Sequence, residues 1–292
     1  MNFMTTTPFS LRIFVADGDP DGLRIVDKSN WIGKALVFPR ALLPHVKARP
    51  ELAQTGVYLL LGPRPDGEGD MLYVGEGDPI RPRLESHYAQ KDFWTRAIGF
   101  TTTTAGQLNK AHVQFLESRL IALARAAKRM PLDNANQPAE PSLSEADRAD
   151  MEVFLGHMLG MLPVLGVHAF EQAPKAPAAK AGPVLTCKGK GVEATGYEAS
   201  QGFVVRAGSQ AVATVTTSFT QMAGASELRA DLLKNGVLVE EGGVLRFTQD
   251  YVFSAPSAAS DIVLGGSSNG RVTWKDANGR TLKEIQTAEA GQ

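Results

Sequence analysis

The chain has 292 residues, of which 43% are hydrophobic, and a formal net charge of −1. This length predicts about two domains with hydrophobic cores, and the balanced charge excludes a uniformly basic chain that coats nucleic acid. A single cysteine, Cys187, excludes an internal disulfide and is typical of a reducing compartment. The amino terminus lacks a secretory-signal pattern and no apolar run is long enough for a membrane span, so we expect a cytoplasmic protein.

The first 50 residues predict a small β extension. Residues 11–15 and 23–26 flank the turn sequence GDPDG, which is typical of a hairpin, and residues 31–38 predict a further strand. Residues 39–47 predict a short helix. We interpret Trp31 as a core or packing residue rather than a platform for base stacking.

Two predicted strands carry paired tyrosines. Residues 57–61 and 71–74 are apolar, and residues 62–70 between them are rich in Gly, Pro, Asp and Glu, which favours an antiparallel hairpin. Side chains alternate along a strand, so a suitable register places Tyr58 and Tyr73 on one face.

A helix is predicted after the second of these strands. Asp78 is its predicted N-terminal cap, and a proline fits the first turn, where a missing N–H costs little. Arg83 and His87 are four residues apart, so they lie on one face of this helix.

A third strand and a longer helix complete the central region. Residues 95–103 are rich in Thr and aromatic residues and predict the strand, whereas residues 108–128 have apolar residues at helical spacing. Glu117 lies beside this apolar stripe. A carboxylate at such a margin needs a partner, a metal ion or water.

These elements together resemble a GIY-YIG nuclease domain over residues 51–138. The two name motifs stand as Gly56-Val57-Tyr58 and Tyr73-Val74-Gly75, with valine in place of isoleucine in both. The family's other site residues fall, in chain order, on Arg83, His87, Glu117 and Asn134, with Asn136 as the alternative for the last. The resemblance implies an α/β (α+β) domain with a small, mainly antiparallel sheet flanked by helices.

The resemblance also implies a single-metal site that hydrolyses phosphodiester bonds. Glu117 would bind one divalent cation, Mg²⁺ or Mn²⁺, because an oxygen ligand with retained waters suits magnesium. Arg83 would hold the phosphate with its planar fork of N–H donors.

The remaining motif residues would act on water and support the site. Tyr58 would orient or deprotonate the attacking water, and Tyr73 would bind phosphate or water. His87 is the rival general base, since an ordinary imidazole pKa of about 6.5 suits neutral pH. Asn134 would support the site by hydrogen bonding.

The rest of the chain predicts a helical region, a linker and a second domain. Residues 139–172 predict a helix that packs back on the first unit, with a capping box formed by Ser142 and Glu145. Residues 173–183 are rich in Pro, Ala and Lys, as in a partly extended linker. Residues 184–292 predict a separate β-rich α+β domain.

Local patterns subdivide this second domain. Strands are predicted at 184–188, 191–198, 203–205 and 211–215, and helices at 225–235 and 257–265. The Asn278-Gly279 turn predicts a hairpin between residues 272–274 and 281–285. Residues 247–274 resemble an uncharacterised module found C-terminal to nuclease and restriction-type domains, and this resemblance implies no activity.

Charge indicates where nucleic acid would bind. Residues 81–129 hold nine Lys or Arg against three acidic residues, whereas the chain from residue 184 onward holds ten against eleven. Phosphate contacts dominate nucleic-acid affinity, so we expect binding on the first unit. Together with this charge distribution, the GIY-YIG resemblance implies a metal-dependent endonuclease with DNA as the expected substrate. The alternative is a catalytically silent nucleic-acid-binding or assembly protein on a nuclease scaffold.

Overall fold

The computed structural model describes residues 8–64, 69–171 and 183–290. The chain divides into two compact units, Met1–Glu171 and Gln172–Gln292. The linker predicted at 173–183 lies outside the described residues except for its last position. Within the described ranges, no helix combines the length and the apolar character needed to cross a membrane.

The N-terminal unit is built on one antiparallel sheet. Its strands are β1 (Leu11–Val15), β2 (Arg24–Lys28), β3 (Gly33–Pro39), β4 (Gly56–Pro63), β5 (Asp70–Gly77) and β6 (Arg96–Thr102). Their spatial order is β1-β2-β3-β6-β4-β5, and every neighbouring pair is antiparallel. The strands of the predicted β extension therefore belong to the same sheet as the tyrosine hairpin.

Helices cover both faces of this sheet. They are α1 (Leu43–Val46), α2 (Arg81–Gln90), α3 (Lys110–Ala127) and α4 (Glu145–Met161), with 3-10 turns at Arg40–Leu42 and Pro50–Ala53. Alternation along β4 places Val57 and Leu59 in a core with α3 and α4, whereas Tyr58 and Leu60 enter a second core with α2. Trp31 packs against Phe154 of α4, with ring centroids 4.9 Å apart, as a packing residue should.

Two predicted helix caps are wrong. Helix α2 begins after Ile80 without a side-chain cap, because Asp78 instead accepts a hydrogen bond from the Thr55 hydroxyl at 2.5 Å. Helix α4 is capped by Ser144, whose hydroxyl oxygen accepts from the Asp147 N–H at 3.1 Å. A serine followed three residues later by an acidic residue occurs twice here, as Ser142 with Glu145 and as Ser144 with Asp147. The second pair lies nearer the buried residues of α4, and its serine forms the cap.

The C-terminal unit combines two small sheets with helices. Its strands are β7 (Leu185–Gly189), β8 (Val192–Ala199), β9 (Gly202–Val205), β10 (Gln210–Val212), β11 (Leu238–Glu241), β12 (Val244–Phe247) and β13 (Tyr251–Phe253). One sheet has the order β13-β9-β8-β7 and the other β10-β12-β11. The helices are α5 (Thr217–Thr220), α6 (Ala223–Lys234), α7 (Pro256–Leu264), α8 (Gly270–Thr273) and α9 (Leu282–Ala290). Strands β7 to β10 and helices α6 and α7 confirm the corresponding predictions.

The hairpin predicted near the C-terminus is wrong. The segments on both sides of the Asn278-Gly279 turn are helical, as α8 and α9, and only Lys275 and Thr281 form a bridge across the turn. Leu282 and Ile285 of α9 are buried at helical spacing. A short apolar segment beside a turn does not distinguish a strand from a helix, and packing decides between them.

Candidate active site

Two motif glycines lie where the chain packs closely, and one of them lies against Tyr58. An added Cβ at Gly56 would lie 2.2 Å from the carbonyl oxygen of Phe100, and one at Gly75 would lie 2.4 Å from the phenol of Tyr58. The register of β4 and β5 places Tyr58 directly opposite Gly75. The Tyr58 side chain therefore lies across the β5 backbone at Gly75, where a larger residue would collide with it.

Tyr58, Tyr73 and His87 form one aromatic cluster on the face covered by α2. The ring centroids of the two tyrosines are 6.3 Å apart, and that of His87 lies 5.8 Å from Tyr58 and 4.7 Å from Tyr73. Tyr73 and His87 meet edge to face. The structure thus brings together three of the residues that the sequence predicted for the site.

Two members of this cluster are buried without hydrogen-bond partners. Tyr58 is 0% exposed and His87 is 7% exposed. Among the described residues, no partner lies within hydrogen-bond geometry of the Tyr58 hydroxyl or of either ring nitrogen of His87. Such groups are costly and uncommon in folded proteins. These side chains are therefore candidates for contact with substrate or water.

Burial shifts the pKa of each cluster member. Burial, and next the neighbouring Tyr73, raises the pKa of Tyr58, which the charge of Arg83 partly opposes. Burial also raises the pKa of Tyr73. For His87, burial followed by the positive charges of Arg83 and Lys91 lowers the pKa to about 4. At pH 7 the two phenols keep their protons, and the imidazole is neutral and weakly basic.

Arg83 supplies an exposed positive charge beside the cluster. It lies on α2, one turn before His87. Tyr58 makes the largest contribution to raising the pKa of the Arg83 guanidinium, and Tyr73 and Glu76 contribute less. The guanidinium approaches the Tyr58 hydroxyl without meeting hydrogen-bond geometry. Its N–H groups are therefore in position to meet a phosphate from solvent.

Glu117 projects from α3 as a half-buried carboxylate. Burial, and next the charge of Glu76, raises its pKa to about 7 against the opposing charges of Arg83 and Lys110. The nearby backbone N–H of Glu76 also lowers this pKa. Glu117 thus lies at the end of β5, and its charge contributes to the raised pKa of both Tyr58 and Tyr73.

Glu76 is a second carboxylate at this site that the sequence analysis missed. Its two oxygens accept hydrogen bonds from Lys110 Nζ at 2.6 and 2.7 Å. The Glu76 side chain is 14% exposed, compared with 51% for Lys110. The available signal was its position directly after Tyr73-Val74-Gly75, where a charged residue follows five uncharged residues of the strand.

Asn134 holds the segment after α3 against β5. Its side-chain oxygen accepts from the Val74 N–H at 2.9 Å, and its amide donates to the Val74 carbonyl at 2.8 Å. Because Val74 follows Tyr73, Asn134 acts through the backbone beside the tyrosine. The alternative residue, Asn136, is exposed to solvent.

Ion pairs reduce the basic character expected of residues 81–129. Four of the nine cations pair with carboxylates that all lie outside this window in the sequence: Lys91 with Asp133, Lys110 with Glu76, Arg119 with Glu152, and Arg129 with Glu171. The local excess of positive charge is therefore smaller than the count along the chain indicates. Arg83 is exposed and belongs to none of these four pairs.

The donor atoms fit magnesium or manganese better than a metal that requires several protein ligands. In the part of the chain that the structure describes, no three or more His, Cys, Asp and Glu side chains converge. Magnesium binds through one or two carboxylates and keeps several waters. Glu117 offers such a carboxylate close to the unpartnered Tyr58 hydroxyl.

The described fold is mixed α+β, with antiparallel sheets and helices in two separate units. Residues 185–286 match the family model of a domain of unknown function (DUF4357). This match confirms the predicted resemblance of the C-terminal domain to an uncharacterised module. No curated protein and no solved structure matches the chain. The family match lies within the C-terminal unit and does not extend to the N-terminal unit.

Proposed function

We propose that this protein is a metal-dependent endonuclease of the GIY-YIG type that hydrolyses phosphodiester bonds in DNA. The observation that carries the proposal is the grouping of Tyr58, Tyr73, Arg83, His87 and Glu117, which come from two strands and two helices. Ring contacts join the first two to His87, and mutual effects on pKa link them to Arg83 and Glu117. A phosphate, a water molecule and a cation are the ligands that this combination of groups would accept.

Glu117, Arg83 and Tyr58 would each have a separate role in phosphodiester hydrolysis. Magnesium held by Glu117 would stabilise charge on the phosphate and make a bound water more acidic. Arg83 donates N–H groups to a phosphate oxygen from its exposed position. Tyr58 keeps its proton because burial raises its pKa, so its hydroxyl orients the attacking water.

His87 is the weaker candidate for proton transfer. General-base catalysis is most effective when the pKa of the base lies near the working pH, and burial places that of His87 at about 4. We therefore assign orientation of the water to Tyr58 and a supporting contact to His87. Asn134 fixes the β5 backbone beside Tyr73.

Magnesium-dependent nicking of supercoiled plasmid by the purified full-length protein tests the proposal. Glu117→Ala should lower the nicking rate by about 10³-fold, the scale of a lost electrostatic stabiliser. Its DNA retention in filter binding should hold or increase because a negative charge is removed. The matched control is Glu193→Ala, in an exposed ion pair with Lys188 on the C-terminal unit. Wild-type cleavage by a folded Glu117→Ala protein would overturn the mechanism.

Further variants separate the roles. Arg83→Ala should weaken both nicking and DNA retention, because it removes a phosphate contact. Tyr58→Phe should lower nicking by about 10²-fold because the attacking water loses its orientation, whereas His87→Gln should cost only a few-fold. The reverse order would make His87 the base. DNA retention without nicking by the wild-type protein would identify the alternative, a catalytically silent nucleic-acid-binding protein.

A further inference from the structure

The ion pair between Glu76 and Lys110 lies beside the candidate metal ligand and has no role in the chemistry above. Lys110 Nζ contacts both oxygens of Glu76, at 2.6 and 2.7 Å. Glu76 is mostly buried, with 14% of its side chain exposed. A lysine that engages both oxygens of a mostly buried carboxylate holds that side chain in one position.

Helix α3 presents two opposite charges to the same end of β5. Lys110 is its first residue and Glu117 follows seven residues later, so both lie on one face of the helix. Lys110 reaches the side chain of Glu76, and Glu117 lies close enough to the backbone N–H of the same residue for that group to lower its pKa. The Lys110 ammonium and the Glu117 carboxylate therefore both lie near Glu76, which carries the second carboxylate.

A buried polar atom that lacks a partner among the described residues lies next to this end of β5. The Tyr58 hydroxyl is fully buried, and none of the described residues meets hydrogen-bond geometry with it. It lies against Gly75, the residue directly before Glu76, where an added Cβ would be 2.4 Å away. The charge of Glu117 acts on this hydroxyl, which is suited to a water on a cation that Glu117 would hold.

We propose that Glu76 is a second carboxylate ligand of the divalent cation held by Glu117, and that Lys110 occupies Glu76 until the cation displaces it. This inference rests on the proposed function. The ammonium offsets the repulsion between two neighbouring carboxylates in the metal-free protein. A divalent cation neutralises both carboxylates at once, and magnesium accepts one or two such ligands with its remaining waters.

Calorimetric titration of the full-length protein with Mn²⁺ tests this arrangement without reference to activity. Glu76→Gln should weaken binding by about tenfold or more, because one charged ligand is lost. Lys110→Met should tighten binding by about fivefold or more, because a competing positive charge is removed. The controls Glu193→Gln and Lys188→Met, from an exposed pair 3.1 Å apart on the C-terminal unit, should leave the affinity within about twofold.

The double variant separates displacement from a general electrostatic effect. If Lys110 competes with the cation for Glu76, Lys110→Met should give no gain in the Glu76→Gln background. An equal gain in both backgrounds would overturn the proposal, as would unchanged or weaker binding by Lys110→Met alone. Loss of binding in Glu117→Gln, with wild-type affinity in Glu76→Gln and Lys110→Met, would refute only this inference. A wild-type protein that binds no Mn²⁺ would refute both this inference and the proposed metal-dependent nuclease.

Discussion

The described parts of the two units differ in how many buried polar atoms lack a hydrogen-bond partner. Of the ten buried side-chain atoms that lack a hydrogen-bond partner among the described residues, nine lie in the N-terminal unit. Three of these nine belong to Tyr58 and His87, in the candidate site. Within residues 183–290, the C-terminal unit contributes only Gln201 Oε1. Unpartnered groups lower stability, so the three such atoms that the candidate site brings together are expected to have a use there.

Arg229 is a buried polar residue of the C-terminal unit that has several hydrogen-bond partners. Its side chain is 6% exposed and donates to the carbonyl oxygens of Ile262 at 3.0 Å, Ala213 at 3.2 Å and Val212. These carbonyls lie at or near the ends of α7 and β10, where regular backbone hydrogen bonding stops. The buried guanidinium therefore completes the backbone hydrogen bonding of two elements.

Ser260, a buried serine of the same unit, also has hydrogen-bond partners. The Ser260 hydroxyl donates to the Ser257 carbonyl at 3.1 Å and accepts from the Ser268 hydroxyl at 2.6 Å. The Ser268 backbone N–H in turn donates to the Asp261 carboxylate at 2.7 Å. This network joins α7 to the loop that follows it, so we interpret the buried polar groups of the C-terminal unit as structural.

The largest expected effect comes from breaking the Arg229 contacts. Arg229→Met should lower the free energy of unfolding by about 3 kcal/mol or more, because three buried carbonyls lose their donor. Lys234→Met, an exposed change on the same helix, should stay within about 0.5 kcal/mol of wild type. Urea unfolding measures both variants. A more stable Arg229→Met protein would show that the desolvation of the guanidinium outweighs its hydrogen bonds.

A smaller loss is expected where the sheet packs around Tyr58. Gly75→Ala places a Cβ 2.4 Å from the phenol, so the ring must shift within a filled core, at a cost of about 2 kcal/mol. Gly224→Ala, in α6 with nothing within 4 Å of the added atom, should instead stabilise by about 0.5–1 kcal/mol. Urea unfolding of the two variants should therefore give changes of opposite sign. Equal changes would mean that Gly75 is not required for the position of Tyr58.

The unpartnered imidazole should make stability depend on pH. In the unfolded chain, His87 binds a proton as the pH falls through its ordinary pKa of 6.5. In the folded chain, His87 binds this proton only near pH 4, because its pKa is lowered to about 4. The folded state therefore loses stability as the pH falls through this window, by about 1–2 kcal/mol between pH 7 and pH 5. Parallel urea unfolding of wild type and His87→Gln measures this contribution. Identical pH dependence in the two proteins would contradict burial of a neutral imidazole.

The smallest effects compare the loss of one hydroxyl in each unit. Tyr58→Phe removes a buried hydroxyl without a partner and should raise the free energy of unfolding by about 0.5–1 kcal/mol. Ser260→Ala removes a hydroxyl with two partners and should lower it by about 1 kcal/mol. Urea unfolding again provides the measurement. If both variants are destabilised, the Tyr58 hydroxyl has a partner in solution and the contrast between the units fails.

The elements that build the site could be predicted from the sequence. The predicted strands at 57–61, 71–74 and 95–103 correspond to β4, β5 and β6, and the predicted helix at 108–128 corresponds to α3. Hydrophobic periodicity and turn residues are properties of a short stretch of chain, so they can be recognised without knowledge of the fold. The same alternation placed Tyr58 and Tyr73 on one face, where their rings now lie 6.3 Å apart.

Pairings between distant residues were decided only by the tertiary structure. Lys110 and Glu76 are separated by 34 residues, and the carboxylates that neutralise Lys91, Arg119 and Arg129 lie outside the basic stretch. The choice of Thr55 as partner for Asp78, in place of a helix cap, has the same origin. Electrostatic attraction and hydrogen bonding depend on distance through space, which folding sets and a count along the chain cannot supply.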